Sequence, residues 1–116
     1  MAANYVPERG DLVWLQFDPR AGSERAGRRP ALVISPKSYN RKVGLALVCP
    51  VTSRIKKYPF EVPLPEGVGI EGIVLCDQIK SLDWRARQAT RIATATATAT
   101  VVQEATARLL ALIDPD

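Results

Sequence analysis

Two side chains could handle a phosphodiester together: Arg29, in the stretch GSERAGRRPALVISP (22–36), and Thr52, in VCPVTSRIKKY. Pro30 disfavours a helical backbone at the residue before it, so Arg29 is expected extended, where a loop becomes a strand. If the strands around Val33 and Val48 pair antiparallel about a centre between residues 40 and 41, Val33 faces Val48 and Arg29 faces Thr52. A guanidinium, with its planar fork of donors, would then meet a hydroxyl at one rim of the sheet.

That rim lies between basic loops. From Arg20 to Lys57 there are ten Lys or Arg and one acid, Glu24, a balance of +9; the other six basic and eleven acidic residues leave −5. Such a focused charge points first to nucleic acid, with a solvated face as the plainer use. The loops 20–28 (RAGSERAGR) and 53–58 (SRIKKY) supply Arg20, Arg25, Arg28, Lys56 and Lys57 to neutralise phosphates, with Arg28 as the steering cation. Tyr58, Phe60 or Trp84 could offer faces to unstacked bases, which suits single-stranded RNA better than a duplex groove. Trp14 and Phe17, inside an apolar run, read as core.

The elements that position these groups follow from apolar runs and turn signals. Strands are expected at 11–17, 31–36, 45–52, 59–64 and 71–79, with a last one from residue 86 onward and a short helical turn in PKSYNRKVG. The repeat ATATATAT (93–100) reads as strand fading into loop. Thr100 with Gln103 then fits a capping box, and Val102, Ala105, Leu109, Leu112 and Ile113 recur at helical spacing. Short strands followed by one helix, with no βαβ rhythm, predict a small antiparallel barrel or half-open sheet closed by that helix.

At 116 residues and 47% hydrophobic, the chain is expected to form a single domain, 1–116. It has no apolar run of about 20 residues, and MAANYVPERGD lacks a signal-peptide core, so a cytoplasmic protein is expected, with no membrane partner. Cys49 and Cys76 sit in apolar runs and read as reduced core packing.

In order along the chain come a G-D-x-V-W start, a G-S-E-x-x-G-x-R-P loop, a P-x-T turn and a D-Q-x-K-S segment. From about Gly10 to Ala86 the chain thereby resembles the MazF/PemK toxins of bacterial toxin–antitoxin modules. The resemblance implies a mainly β, SH3-like antiparallel barrel with a C-terminal helix, assembled as a homodimer. It also implies a ribosome-independent endoribonuclease that cuts single-stranded mRNA at short sequences, causes growth arrest, and is inhibited by a cognate antitoxin whose acidic disordered tail occupies the RNA groove.

Arg29 matches the family's catalytic arginine, Thr52 its turn threonine and Glu24 another family position. Glu24 is a candidate base for a ribose 2′-hydroxyl or a loop-ordering ion pair, since surrounding arginines would lower its pKa. Ser53, Gln78 and Ser81 are candidate base or phosphate contacts, and Asp77 orients them or caps a turn. One departure is Arg28, where family members often carry a histidine.

The chain contains no histidine, and the sequence carries no cluster with metal-ligand spacing, so neither cofactor nor metal is expected. The simplest compatible chemistry is internal: the 2′-hydroxyl attacks its own phosphorus and expels the 5′-oxygen, leaving a 2′,3′-cyclic phosphate. Two rival readings are a barrel that binds RNA or antitoxin without cutting, and a gyrase-targeting toxin of the same general shape.

Overall fold

The structure, a computed structural model, describes residues 5–17 and 27–114. Its strands are β1 (Leu12–Gln16), β2 (Arg28–Val33), β3 (Ala46–Thr52), β4 (Glu61–Pro63), β5 (Ile73–Leu75), β6 (Lys80–Leu82) and β7 (Thr90–Ala93). Helix α1 (Lys37–Val43) links β2 to β3, a 3-10 turn (Cys76–Gln78) links β5 to β6, and helix α2 (Ala99–Ile113) follows β7. All pairings are antiparallel, in the order β4-β5-β3-β2-β1-β7, with β6 beside β3. The strand path is open, running from β4 to β7.

Both faces of the central strands are covered, which is why their sequences read as nearly continuous apolar runs. Leu12, Leu32, Cys49 and Val51 face one side and pack with Val101, Ala105 and Leu109 of α2. Val13, Leu15, Ala31, Val33, Ala46 and Val48 face the other and pack around Trp84. The Trp84 indole N–H donates to the Asn40 carbonyl at 3.0 Å. Asn40, fully buried in α1, donates to the carbonyls of Pro7 at 2.8 Å and Ser35 at 3.0 Å, and so locks the β2–β3 connection.

Two prolines mark where strands part company. In β2, the peptide groups of odd residues bond to β1, as the Phe17 N–H to Gly27 and Val33 N–H to Asp11 bonds show. The ring nitrogen of Pro30 therefore faces β3, at a level where β2 and β3 have already stopped pairing beyond Ala31 and Pro50. In β3 the odd residues turn to β2, so Pro50 faces the other way, toward β5 and β6. Lacking an N–H, Pro50 cannot continue that ladder. The register of β6 against β3 is displaced by three residues from that of β5, and those residues are the 3-10 turn Cys76–Gln78.

Several expectations are corrected. The strand foreseen over 71–79 is broken by this turn, and β2 begins at Arg28 rather than at residue 31. The capping box at Thr100 does not form. Helix α2 starts at Ala99 after Thr98, which makes no side-chain cap and donates its hydroxyl to the Gly10 carbonyl instead. The buried stripe of α2 is Val101, Ala105 and Leu109, while Leu112 and Ile113, expected on it, are exposed. Trp84, expected as a stacking face, is core; Trp14, expected as core, is half-buried.

Candidate active site

The register foreseen for β2 and β3 holds at Ala31–Pro50, Leu32–Cys49 and Val33–Val48. Past it the strands diverge: Arg29 pairs with Leu15 of β1, and Thr52 with Ile73 of β5. Side chains alternate across a strand, so Arg29 follows Ala31 and Val33, while Thr52 follows Ala46 and Val48, onto the same face of the sheet. Arg29 is exposed there and Thr52 half-buried.

Where the pairing of β2 and β3 ends lies a cavity of about 320 Å³, lined by Trp14, Pro30, Val51, Thr52, Ser53, Ile70 and Glu71; Trp14, Pro30 and Val51 alternate onto the face opposite to that of Arg29, which is not among the lining residues. Arg29 adjoins the cavity through Pro30, its neighbour in the chain. A second hollow of about 100 Å³ is lined by Thr52, Arg54, Lys56, Tyr58, Glu61 and Gln78. Thr52 belongs to both. Its oxygen accepts the Arg54 N–H at 3.2 Å, which leaves the hydroxyl hydrogen free to donate to a further oxygen.

The second hollow is built from a loop and a turn. The Tyr58 hydroxyl donates to Asp77 Oδ1 at 2.8 Å, tying the basic loop to the 3-10 turn that carries Gln78. That bond to a carboxylate, helped by some burial, raises the Tyr58 pKa above its ordinary value and keeps the phenol protonated. The residue that Asp77 orients is thus Tyr58, not Ser53, Gln78 or Ser81 as expected.

Other foreseen residues lie elsewhere. Arg28 is bound across β1, donating to Thr90 Oγ1 at 2.7 Å and to the Gln88 carbonyl at 3.4 Å. Its guanidinium is already engaged by β7 rather than poised as a free steering cation. Ser81 pairs with Leu47 in β6, five residues along β3 from Thr52 and hence about 16 Å away. Lys57 is exposed with φ 60°, beside the second hollow but not among its lining residues. Arg20, Glu24 and Arg25 lie outside the described residues.

Sequence reasoning missed Arg54, Glu61, Ile70, Glu71 and the exposed face of Trp14. Of these, Arg54 carried a signal as a cation of the basic loop SRIKKY, and Glu61 as an acid inside the otherwise apolar-alternating PFEVPL.

The buried thiols take no part: burial pushes Cys49 up to about 12 and Cys76 up to about 11, so both stay protonated near neutral pH. Among the described residues, no group of three or more His, Cys, Asp or Glu is placed to hold a metal ion, and no helix is long and apolar enough to cross a membrane.

Residues 8–113 match the family described as PemK-like, MazF-like toxin of type II toxin–antitoxin system. The chain is 54% identical over 91 residues to the endoribonuclease toxin MazF of Escherichia coli (strain K12), covering 78% of this chain and 81% of that one. It is 42% identical over 112 residues to the endoribonuclease toxin ChpB of the same strain, covering 92% and 94%. Among solved structures it is similar to MazF from Deinococcus radiodurans, with TM-score 0.84, 54% identity and coverage of 95% and 98%. A MazE–MazF complex from the same organism matches with TM-score 0.82, 50% identity and coverage of 95% and 97%.

Proposed function

The chain belongs to the PemK-like, MazF-like toxins of type II toxin–antitoxin systems, and we propose that it is an endoribonuclease toxin, inhibited by an antitoxin, that cuts single-stranded RNA with Arg29 and Thr52 at the reacting phosphate. The observation that carries this reading is Thr52 at the meeting of the two hollows, with Arg29 on the same face of the sheet where the β2–β3 pairing ends. Curated relatives named endoribonucleases and solved complexes with MazE support the activity and its inhibition.

The two hollows divide the work. Arg54 and Lys56 make the smaller one the phosphate side, whereas Trp14, Pro30 and Ile70 give the larger one an apolar wall for a base. The scissile phosphate then sits over Thr52, where the hollows meet.

In the reaction the ribose 2′-oxygen bonds to phosphorus, the bond from phosphorus to the 5′-oxygen breaks, and the 2′-hydroxyl proton ends on the departing oxygen. The products are a 2′,3′-cyclic phosphate and a 5′-hydroxyl. Arginine is too basic to accept the proton, so Arg29 acts by fork-like hydrogen bonds to the pentavalent phosphorus oxygens. Thr52 donates to a nonbridging oxygen. No metal and no ribosome takes part.

The antiparallel sheet, covered on both faces, is read as an SH3-like barrel left open between β4 and β7. The protein works in the cytoplasm as a homodimer, and an acidic antitoxin tail competes with RNA for the same basic groove. The test is purified protein with RNA in excess EDTA and no ribosomes. Fragments with 5′-hydroxyl and cyclic phosphate ends are expected; RNA that binds but stays intact would overturn the reading in favour of a non-cleaving module.

A further inference from the structure

We propose that Glu61 is a positioning residue for RNA binding, its buried carboxylate holding the basic loop 53–58 in the backbone path that turns Arg54 and Lys56 toward Thr52. The inference rests on the endoribonuclease reading above and deepens it.

Glu61 opens β4 and is 9% exposed. A carboxylate so placed needs partners. Lysines 56 and 57 are near in sequence, yet it is their peptide N–H groups that meet it. Glu61 Oε1 accepts from the Lys57 N–H at 2.8 Å, and Oε2 from the Lys56 N–H at 3.0 Å. The Glu61 N–H returns to the Tyr58 carbonyl at 3.1 Å, closing the turn.

Two consequences follow from this arrangement. Lys57 is held at φ 60°, a left-handed backbone that a residue with a side chain keeps only where its surroundings enforce it. The negative charge is satisfied by the backbone, so both ammonium groups stay available to phosphate. The ion pair formed among the described residues is Arg108 with Glu104, not one with Glu61.

The loop's other fixed points are weaker on this stretch. Thr52 accepts one N–H, from Arg54, at the loop's start, and Tyr58 is tied through its side chain to Asp77 at its end. Glu61 alone bonds two consecutive amides in between. The Lys56 side chain that lines the hollow springs from one of them.

The experiment compares the full-length protein with Glu61→Gln and Glu61→Asp. Each is given a cleavable RNA oligonucleotide and the same oligonucleotide with a 2′-deoxy sugar at the cut position, which binds without reacting. Losing one charged, paired acceptor is worth about tenfold in binding. Glu61→Gln is therefore expected to raise KM and the Kd for the deoxy oligonucleotide about tenfold with kcat within about twofold, and to speed hydrogen exchange at the Lys56 and Lys57 amides about tenfold. Glu61→Asp, which keeps the charge, should fall between it and the parent.

Unchanged KM and unchanged exchange in Glu61→Gln would overturn the proposal, as would a loss confined to kcat. If Glu61→Gln does not fold, the same outcomes in Glu61→Asp decide. A parent protein that cuts no RNA would overturn the ribonuclease reading instead, and unaltered amide exchange in the variants would still overturn the anchor.

Discussion

The Tyr58 hydroxyl donates to the Asp77 carboxylate at 2.8 Å, joining the basic loop to the 3-10 turn that Pro50 forces into the neighbouring strand. The bond holds the phenol in its protonated form, so its pKa lies above the ordinary 10.0. A raised pKa contributes stability that is fully present below the unfolded value and is lost as pH rises through the folded one. The stability difference between the parent and Tyr58→Phe should therefore be constant from pH 6 to 9 and shrink above about 10. Urea titrations at several pH values measure it, and a difference that changes between pH 6 and 8 would contradict the assignment.

Arg29 is exposed at the edge of β2, beyond its pairing with β3. Arg29→Ala should change folding stability by no more than about 0.5 kcal/mol. Cleavage should fall by at least about 10²–10³, the loss typical of one donor to a developing oxyanion. Cutting at the parental rate would show that this guanidinium does not face the reacting phosphate.

Thr52→Val keeps the shape and removes a hydroxyl that now receives the Arg54 N–H. Stability should drop by about 0.5–1.5 kcal/mol, the net value of one hydrogen bond. The cleavage rate should fall by about 10² with RNA affinity nearly kept. A large fall in melting temperature would mark the threonine as structural instead.

Gly72 lies against the strand that carries Thr52. A Cβ added there would stand 2.7 Å from Val51 Cγ1 and 3.0 Å from the Thr52 carbonyl oxygen. The carbonyl belongs to the β3–β5 ladder and has little freedom to move. Gly72→Ala should cost about 1–3 kcal/mol, as overpacking does, and should slow cleavage by displacing Thr52. Urea unfolding and cleavage rates measured on one preparation check both halves.

The β2–β3 register could be read from the sequence because a slip of one residue would exchange the two buried faces of each strand. The same register put Arg29 opposite Thr52, but the pairing ends at Ala31–Pro50, so the two are not cross-strand partners and share only a face of the sheet. The broken strand at Cys76–Gln78 was not legible, since EGIVLCDQI looks uniform and the cause of the break, Pro50, stands on another strand. Trp84 was misread for a similar reason: its indole is claimed by Asn40, 44 residues away in the chain. Thr98 displaced the expected cap because its partner, Gly10, is 88 residues distant. Local pattern found what neighbours decide and missed what remote partners decide.

The alternating ATATATAT segment is less monotonous in space than in print. Thr98 is moored to Gly10, and only three positions later Val101 must enter the core. Because the repeat alternates, a chain with one Ala-Thr unit more or fewer still carries a threonine three positions before the valine that enters the core, so tether and helix keep their phase. The stretch between Ala93 and Thr98 alone would take up the change in length. Slippage of one unit would thus leave Val101, Ala105 and Leu109 packed, which makes the monotonous segment tolerant where a mixed sequence would not be.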